Sequence, residues 1–303
     1  MRLMVTGGAG FIGSNLVKEL VKYGHAISVF DNLSTGKKEN LVGGVNFYLG
    51  DIRDKEYLNY SISQEKPEII FHLAAQISVS QSVIDPVTDG EINIFGTLNL
   101  LKSAVKHEVQ KIVFASSAAV YGRPQYLPID ENHIKRPLSG YGITKNTAEQ
   151  YISIYQNFGV DYTILRLANV YGAGQFAGNE GGVIAIFYDK LINGQVPVIY
   201  GNGEQTRDFI YVKDVVSAFM ASINRGKAET LNISTGCACS VNQLFAFLKE
   251  ILGKNIEAKY EDERPGDIRS SVLYNKQAVK VLNWKPLYSL RSGLTDTIDI
   301  LTK

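Results

Sequence analysis

Only two cysteines occur in the 303 residues, Cys237 and Cys239. They lie two apart with no nearby Cys or His, so no metal site can be completed around them and they read as ordinary thiols without a redox role. An excess of charge of one sign is missing too. The net charge is +1 and the longest basic grouping is Lys37-Lys38, which leaves no electrostatic footprint for a nucleic acid. No run approaches the roughly 18 apolar residues of a membrane span. The first apolar strand begins at Leu3, leaving no room for a signal peptide, so a cytoplasmic protein with no membrane partner is expected. Internal repeats and low-complexity segments are also absent. What remains is an ordinary globular composition, long enough for one large or two unequal domains.

Glycine, by contrast, is concentrated where it matters. Leu3-Met4-Val5 reads as a buried strand and Thr6-Gly7-Gly8-Ala9-Gly10-Phe11-Ile12-Gly13 as a turn, with Gly8, Gly10 and Gly13 in the G-x-G-x-x-G spacing. The apolar helix pattern that follows (Phe11, Ile12, Leu16, Val17, Leu20) supplies the context a dinucleotide fingerprint needs. Glycine serves there because the backbone must turn sharply and let a pyrophosphate reach main-chain N–H groups at a positive helix end. Eighteen residues after Gly13, the run Ala26–Phe30 ends in Asp31. A carboxylate at that point accepts the ribose hydroxyls of NAD and repels the 2′-phosphate of NADP. An ordinary glycine-rich strand-to-helix turn is the alternative; strand, helix and acidic residue together weigh against it.

The chain then alternates apolar strands with amphipathic helices: helix Ser14–Tyr23, strand Asn46–Leu49, helix Lys55–Gln64, strand Ile69–Leu73, helix Glu91–Lys106, strand Lys111–Ala115, a helix from about Ser139 to Phe158, and strand Tyr162–Leu167. This rhythm predicts an α/β fold with a doubly wound parallel sheet, whose ligand lies at the carboxyl ends of the strands. Asp51-Ile52, Ala74-Ala75-Gln76 and Ser116-Ser117 fall at those ends. His72 sits inside an apolar strand and is read as a satisfied interior histidine. Beyond Asn169 the character changes to glycine-rich loops and short elements. Helix Val212–Ile223 and strand Thr230–Ile233 look regular enough to rejoin the main sheet. The expected organisation is a dinucleotide-binding domain over 1–168, with about 205–235 returning to it, and a smaller, discontinuous substrate domain over most of 169–303.

Tyr141 and Lys145 are four apart and share one helix face. A phenol near its ordinary pKa of about 10 is a poor base at neutral pH. A lysine one turn away and a cationic nicotinamide are expected to favour the phenolate, so that Tyr141 could take a proton from an alcohol while hydride leaves the same carbon. Ser117, at a strand end, can hydrogen-bond the same oxygen. Y-x-x-x-K alone is a weak signal, since the same spacing occurs on solvated helix faces. After a nucleotide fingerprint and 24 residues past a serine-rich strand end, it is strong.

These features together resemble the extended short-chain dehydrogenases/reductases, and within them the UDP-glucose/UDP-galactose 4-epimerases. The resemblance is carried by Thr6–Gly13, Asp31–Gly36, His72–Gln76, Ser116–Gly122, Tyr141–Lys145 and Asn169–Gly172, and in the C-terminal half by Glu180–Ile184, Gly201–Phe209 and Arg264–Asp267. It implies a catalytic trio of Ser117, Tyr141 and Lys145. It implies an NAD site built from Gly7, Gly10, Phe11, Ile12, Gly13, Asp31, Asn32, Ser34, Thr35, Gly36, Asp51, Ile52, Leu73, Ala74, Ala75, Gln76, Asn93, Ser116, Tyr141 and Lys145. The UDP-sugar is then held by Ser117, Asn169, Val183, Arg207, Arg264, Asp267 and Ser271. Guanidinium groups suit a pyrophosphate; the alternative for Arg207 is a surface ion pair with Asp208.

Related 4,6-dehydratases place an Asp-Glu pair after the serine, where this chain has Ala118-Ala119, so elimination lacks its acid. Relatives acting on UDP-glucuronate carry a cation in the stretch matching Gly174–Asn179, which has none here. The implied reaction is inversion at C4 of a neutral UDP-hexose through a 4-keto intermediate, with no net oxidation. Ser271 occupies the position gating the sugar C2 substituent and leaves room for an N-acetyl group. Another nucleotide-sugar epimerase, decarboxylase or dehydratase is the alternative enzyme; a non-catalytic NAD-binding module is the alternative of a different class. The resemblance also implies a homodimer, paired through Glu91–Lys106 and Tyr141–Phe158.

Overall fold

Residues along the first strand alternate between the two faces of the sheet, as a period of two requires. Leu3 and Val5 enter one buried cluster and Met4 the other. In the computed structural model, which describes residues 1–175, 182–263 and 267–302, that division runs through the whole N-terminal domain. The strands are β1 Arg2–Thr6, β2 Ala26–Asp31, β3 Asn46–Leu49, β4 Ile69–His72, β5 Lys111–Ser117 and β6 Asp161–Leu167. Short strands β7 Asn169–Tyr171, β8 Val198–Tyr200, β9 Thr206–Arg207 and β10 Phe209–Tyr211 follow, then β11 Glu229–Ile233, β12 Cys239–Ser240 and β13 Lys259–Glu261. Seven of them form one sheet in the order β11-β6-β5-β4-β1-β2-β3, every pair parallel. The order reverses at β1, which is the switch point of a doubly wound sheet.

Helices α1 Phe11–Lys22, α2 Lys55–Glu65, α3 Val79–Ile84, α4 Pro86–Gly90, α5 Thr97–Lys106 and α6 Gly140–Ile154 belong to this half, with a π-helical stretch at Glu91–Gly96. The rest are α7 Val183–Ile192, α8 Val212–Ala221, α9 Val241–Leu252, α10 Lys276–Leu282 and α11 Leu290–Leu301. On one face, Leu16, Val17 and Leu20 of α1 join Val215 and Phe219 of α8 over Val29, Phe71 and Val113. On the other, Leu58 and Ile62 of α2, Leu100 and Leu101 of α5, and Ala148 and Ile152 of α6 cover Phe30, Ile70, Ile112 and Phe114. The strand β11 and helix α8 thus pack on the seven-stranded sheet. The smaller domain continues the first of these cores through Phe187, Leu191, Phe245, Leu248 and Leu294.

Several boundaries differ from those the periodicity predicts. The first helix begins at Phe11 rather than Ser14, because extended Gly10 serves as its N-cap and the glycine turn runs directly into the helix. The helix expected over Glu91–Lys106 starts earlier, at Pro86, where the Asp85 side chain accepts from Thr88 N and Pro86 occupies the first turn. Its register loosens over Glu91–Gly96, where Gly96 lies so close to Ile52 that a Cβ would come within 2.6 Å of that side chain. The strand expected to stop at Ala115 runs on to Ser117.

Candidate active site

A cavity of about 470 Å³ opens at the carboxyl ends of β1, β2, β4 and β5. Gly7, Gly10, Phe11, Ile12 and Gly13 form its floor. The turn has no room for side chains: a Cβ on Gly13 would come within 2.1 Å of Gly7 O, and one on Gly7, at φ +70°, within 2.6 Å of Ala74 N. Ser14 N makes the first intrahelical bond, to Gly10 O at 2.9 Å, so the N–H groups of Phe11, Ile12 and Gly13 sit in the unpaired first turn.

Asp31 ends β2 with its carboxylate braced by the turn, Oδ2 accepting from Ala9 N (2.9 Å) and Oδ1 from Leu33 N (2.8 Å). Asp51 accepts from Asn32 Nδ2 and from three nitrogens of Arg53, the backbone N, Nε and Nη2. The Arg53 hydrogen bonds lead the causes that bring its carboxyl down to about 2. Asn32, Ser34, Thr35, Asp51, Ile52, Leu73, Ala74, Ala75, Gln76 and Ser116 complete the predicted lining that is present.

Two predicted cofactor residues do not line the cavity. Gly36 packs against the turn, where a Cβ would come within 2.7 Å of Ala9 C. Asn93 is buried and holds Gln76 from behind, accepting from Gln76 N and donating to Gln76 O, both at 2.9 Å. Conversely, Phe30, Gly50, Ile77, Ser78, Gln81, Ile92, Ala115 and Leu167 line it without having been singled out. Gln81 lies on α3, whose six residues are too few for a periodic signal.

Tyr141 and Lys145 reach the same cavity from α6. Lys145 is buried, with Nζ donating to Ala115 O at 2.9 Å and lying 4.7 Å from the centre of the Phe114 ring. Burial brings the ammonium down to about 8, against the opposing pull of Asp89 and Glu149. Its Nζ is 5.9 Å from the centre of the Tyr141 ring. The expected lowering of the Tyr141 phenol, by this lysine and a cationic nicotinamide together, is opposed by burial. Burial pushes the phenol up to about 12, the Ser117 side chain opposes that rise, and Asp89 adds to it. Desolvation of the phenolate outweighs the ammonium, which is held toward β5 instead.

Ser117 Oγ also accepts from Ala119 N at 3.2 Å, capping the 3-10 turn Ala118–Val120. His72 is satisfied, as its apolar setting indicated: Nδ1 meets Thr6 Oγ1 at 2.8 Å and Nε2 meets Thr97 Oγ1 at 3.0 Å. Burial takes the ring down to about 3, so it stays neutral.

The family model for the NAD dependent epimerase/dehydratase family matches residues 3–234. The chain belongs to this family. It is 43% identical, at a TM-score of 0.98, to a UDP-glucose 4-epimerase from Thermotoga maritima solved with UDP-glucose; the match covers 100% of this chain and 99% of that one. A UDP-glucose 4-epimerase of Thermus thermophilus in complex with NAD is 38% identical at a TM-score of 0.94, covering 99% and 98% of the two chains. A UDP-N-acetylglucosamine 4-epimerase from Methanobrevibacter ruminantium, in complex with UDP-N-acetylmuramic acid, is 34% identical at the same TM-score, with the same coverage.

For this epimerase/dehydratase the cofactor is NAD, and the residues present fit it. The glycine floor is one that a Cβ would fill, the first-turn N–H groups suit a diphosphate, and the acidic end of β2 suits an unphosphorylated ribose.

Of the residues expected to hold the nucleotide sugar, Ser117, Asn169, Val183, Arg207, Asp267 and Ser271 do not line the 470 Å³ cavity. Asn169 opens β7, in register with Phe209, two residues past Arg207. The alternative partner for Arg207, Asp208, is not the one it takes. Arg207 pairs with Asp267 and donates to Thr206 O, whereas the buried Asp208 carboxylate accepts from Thr235 N, Thr235 Oγ1 and Gly236 N. Asp208, in the link between β9 and β10, is turned inward to these donors and away from the Arg207 guanidinium. Ser271 N donates to Thr206 O at 3.1 Å, which places Ser271 beside the same short strand. Val183 opens α7. Arg264 lies outside the described residues, as do Glu180-Gly181 and the Phe176–Asn179 part of the loop where relatives acting on UDP-glucuronate carry a cation.

Cys237 and Cys239 are free thiols. Among the described residues no group of three or more His, Cys, Asp or Glu could hold a metal, and no helix is long and apolar enough to cross a membrane.

Proposed function

We propose that the protein is an NAD-dependent 4-epimerase of UDP-hexoses, interconverting UDP-glucose with UDP-galactose and, through the space left by Ser271, UDP-GlcNAc with UDP-GalNAc. The observation that carries this reading is the convergence of Tyr141 and Lys145 on a glycine-floored cavity, beside a serine turn that continues as Ala118-Ala119 and offers no acid for elimination. The likeness to two UDP-glucose 4-epimerases and one UDP-N-acetylglucosamine 4-epimerase supports the substrate class.

Bound NAD supplies a hydride acceptor and donor and adds a positive charge to the cavity. Tyr141 Oη takes the proton of the C4 hydroxyl and returns it after inversion. Ser117 Oγ holds that oxygen. Lys145 contributes its charge and, tethered to Ala115 O, keeps α6 in register with the end of β5. Arg207, steadied by Asp267, holds the diphosphate with Asn169, Val183 and Arg264, while few contacts restrain the hexose. Purified protein given UDP-galactose is expected to yield UDP-glucose by chromatography with no added reductant; an unchanged sugar nucleotide overturns the reading. The Ser271→Tyr variant is expected to retain UDP-galactose conversion and lose UDP-GalNAc turnover by about tenfold or more.

The working form is a homodimer paired through the Glu91–Lys106 and Tyr141–Phe158 segments. Phe95, 62% exposed, lies on the first, and Ile143, Ile154 and Phe158 lie exposed on the second. Adjoining α3 and α4 add Val83, Ile84 and Val87, an apolar surface of the kind that marks an interface. Joint substitution Phe95→Glu and Ile154→Glu is expected to convert a dimer into a monomer in sedimentation velocity.

A further inference from the structure

Two buried carboxylates flank Lys145, and they differ in what balances them. Glu149 is matched: it receives Arg166 Nε (2.9 Å) and Nη2 (2.7 Å) in a buried bidentate pair, together with Ser116 Oγ. Asp89 is 1% exposed, and among the described residues its hydrogen-bond donors are all neutral. Oδ1 accepts from Gln76 Nε2 and Asn93 Nδ2, and Oδ2 from Thr144 Oγ1, each at 2.9 Å. A buried carboxylate without a cation is costly unless a charge nearby offsets it. Thr144, the donor to Oδ2, directly precedes Lys145 on α6.

We propose that Asp89 is a positioning residue for the reaction: its carboxylate is the counter-charge of the Lys145 ammonium, and its hydrogen bonds fix Gln76 in the cavity wall. This rests on the reading of Tyr141 and Lys145 as the reacting pair. The surroundings of Lys145 leave little else to fill the role. From β5 it meets Ala115 O and the Phe114 ring, from β4 the neutral His72, and from α6 Tyr141 and the Arg166-matched Glu149. Burial pushes the Asp89 carboxyl up, while its bonds from Thr144 and Gln76 and the charge of Lys145 pull it back; in its charged form it favours the proton on both Lys145 and Tyr141.

Asp89→Asn separates charge from shape. The amide can still accept from Gln76 and Asn93 through Oδ1 and donate to Thr144 Oγ1, which is free to donate to Tyr141 O, 3.1 Å away. With the charge gone, both limbs of the pH profile of kcat for UDP-galactose conversion are expected to move to lower pH by about one unit. In the protein without substrate, the ¹³Cε titration midpoint of Lys145 is expected to fall by a similar amount from about 8. A uniformly lower kcat with neither limb nor midpoint displaced overturns the proposal, because a purely structural role lowers the rate without moving the pH dependence.

Asp89→Ser, equally uncharged and smaller, is expected to give the same displacement and stands in if the amide fails to fold. A wild-type Lys145 midpoint below about 7 overturns the proposal with no variant at all. Failure of the wild type to convert UDP-galactose overturns the epimerase reading instead, and the Lys145 midpoint in the variant then still decides the role of Asp89.

Discussion

Tyr141→Phe is expected to leave a folded, NAD-binding protein that interconverts UDP-hexoses about 10³-fold more slowly. The substitution removes one oxygen from a ring whose packing is otherwise retained, so cofactor binding and thermal unfolding should match the wild type. The size of the effect follows from the position of the phenol. Burial holds it at about 12 in the protein alone, so it accepts a proton at neutral pH only when further positive charge enters the cavity. Among the described residues no other hydroxyl lining the cavity has both the Ser117 contact and the neighbouring ammonium. Stopped assays of UDP-galactose conversion, with NAD content measured on the same sample, check the result. A variant within tenfold of wild-type rate would assign the proton transfer to another group.

Arg166→Met is expected to lower the melting temperature by roughly 10 °C, far more than substitution of any surface cation. Arg166 on β6 and Glu149 on α6 form a pair whose side chains are 4% and 3% exposed. Arg166 Nη1 also reaches Tyr121 Oη at 2.9 Å, and Tyr121 Oη donates to Asn232 Oδ1 on β11 at 2.7 Å. The network therefore ties the returning strand, the Ser117 turn and the Lys145 helix together. Removing the guanidinium leaves buried Glu149 only the longer ion pair with Lys135 Nζ, 3.9 Å away, a loss of about 3–5 kcal/mol, and each kcal/mol moves the midpoint by about 2–4 °C in a large domain. As a contrast, Arg291→Met, which breaks the exposed pair with Glu250, is expected to leave the midpoint unchanged. Differential scanning calorimetry of the three proteins makes the comparison. A drop of under about 3 °C for Arg166→Met would show that the network contributes little.

The contrast between those pairs also marks what could be read before any coordinates. Gly7, Gly10, Gly13 and Asp31 were legible because the fingerprint is local: strand, turn, helix and acidic residue lie within the first 31 residues and depend on backbone geometry alone. Tyr141 and Lys145 were legible because a helical period places them on one face. Glu149 extends that same spacing by four residues and could have been found. Asp89 could not, since its role depends on α4 packing against α6 so that Thr144 meets its carboxylate.

Arg207 shows the same limit from the other side. Its neighbour in sequence, Asp208, is the wrong partner because that carboxylate is buried on Thr235 and Gly236, and the right one, Asp267, is 60 residues away. Strands such as β9 and β12 have two residues each, too few for a period of two to register. The opposing effect of burial on the Tyr141 phenol was not legible for a comparable reason. Charge is visible in a sequence, but the desolvation that outweighs it belongs to the folded environment.

The most direct test of the central claim, inversion at C4 by a closed redox cycle, is incubation of the purified protein with UDP-galactose deuterated at C4, followed by NMR of the products. The account predicts UDP-glucose with deuterium retained at C4 and no accumulated reduced cofactor. UDP-glucose carrying solvent hydrogen at C4, or an accumulating keto sugar, would contradict it.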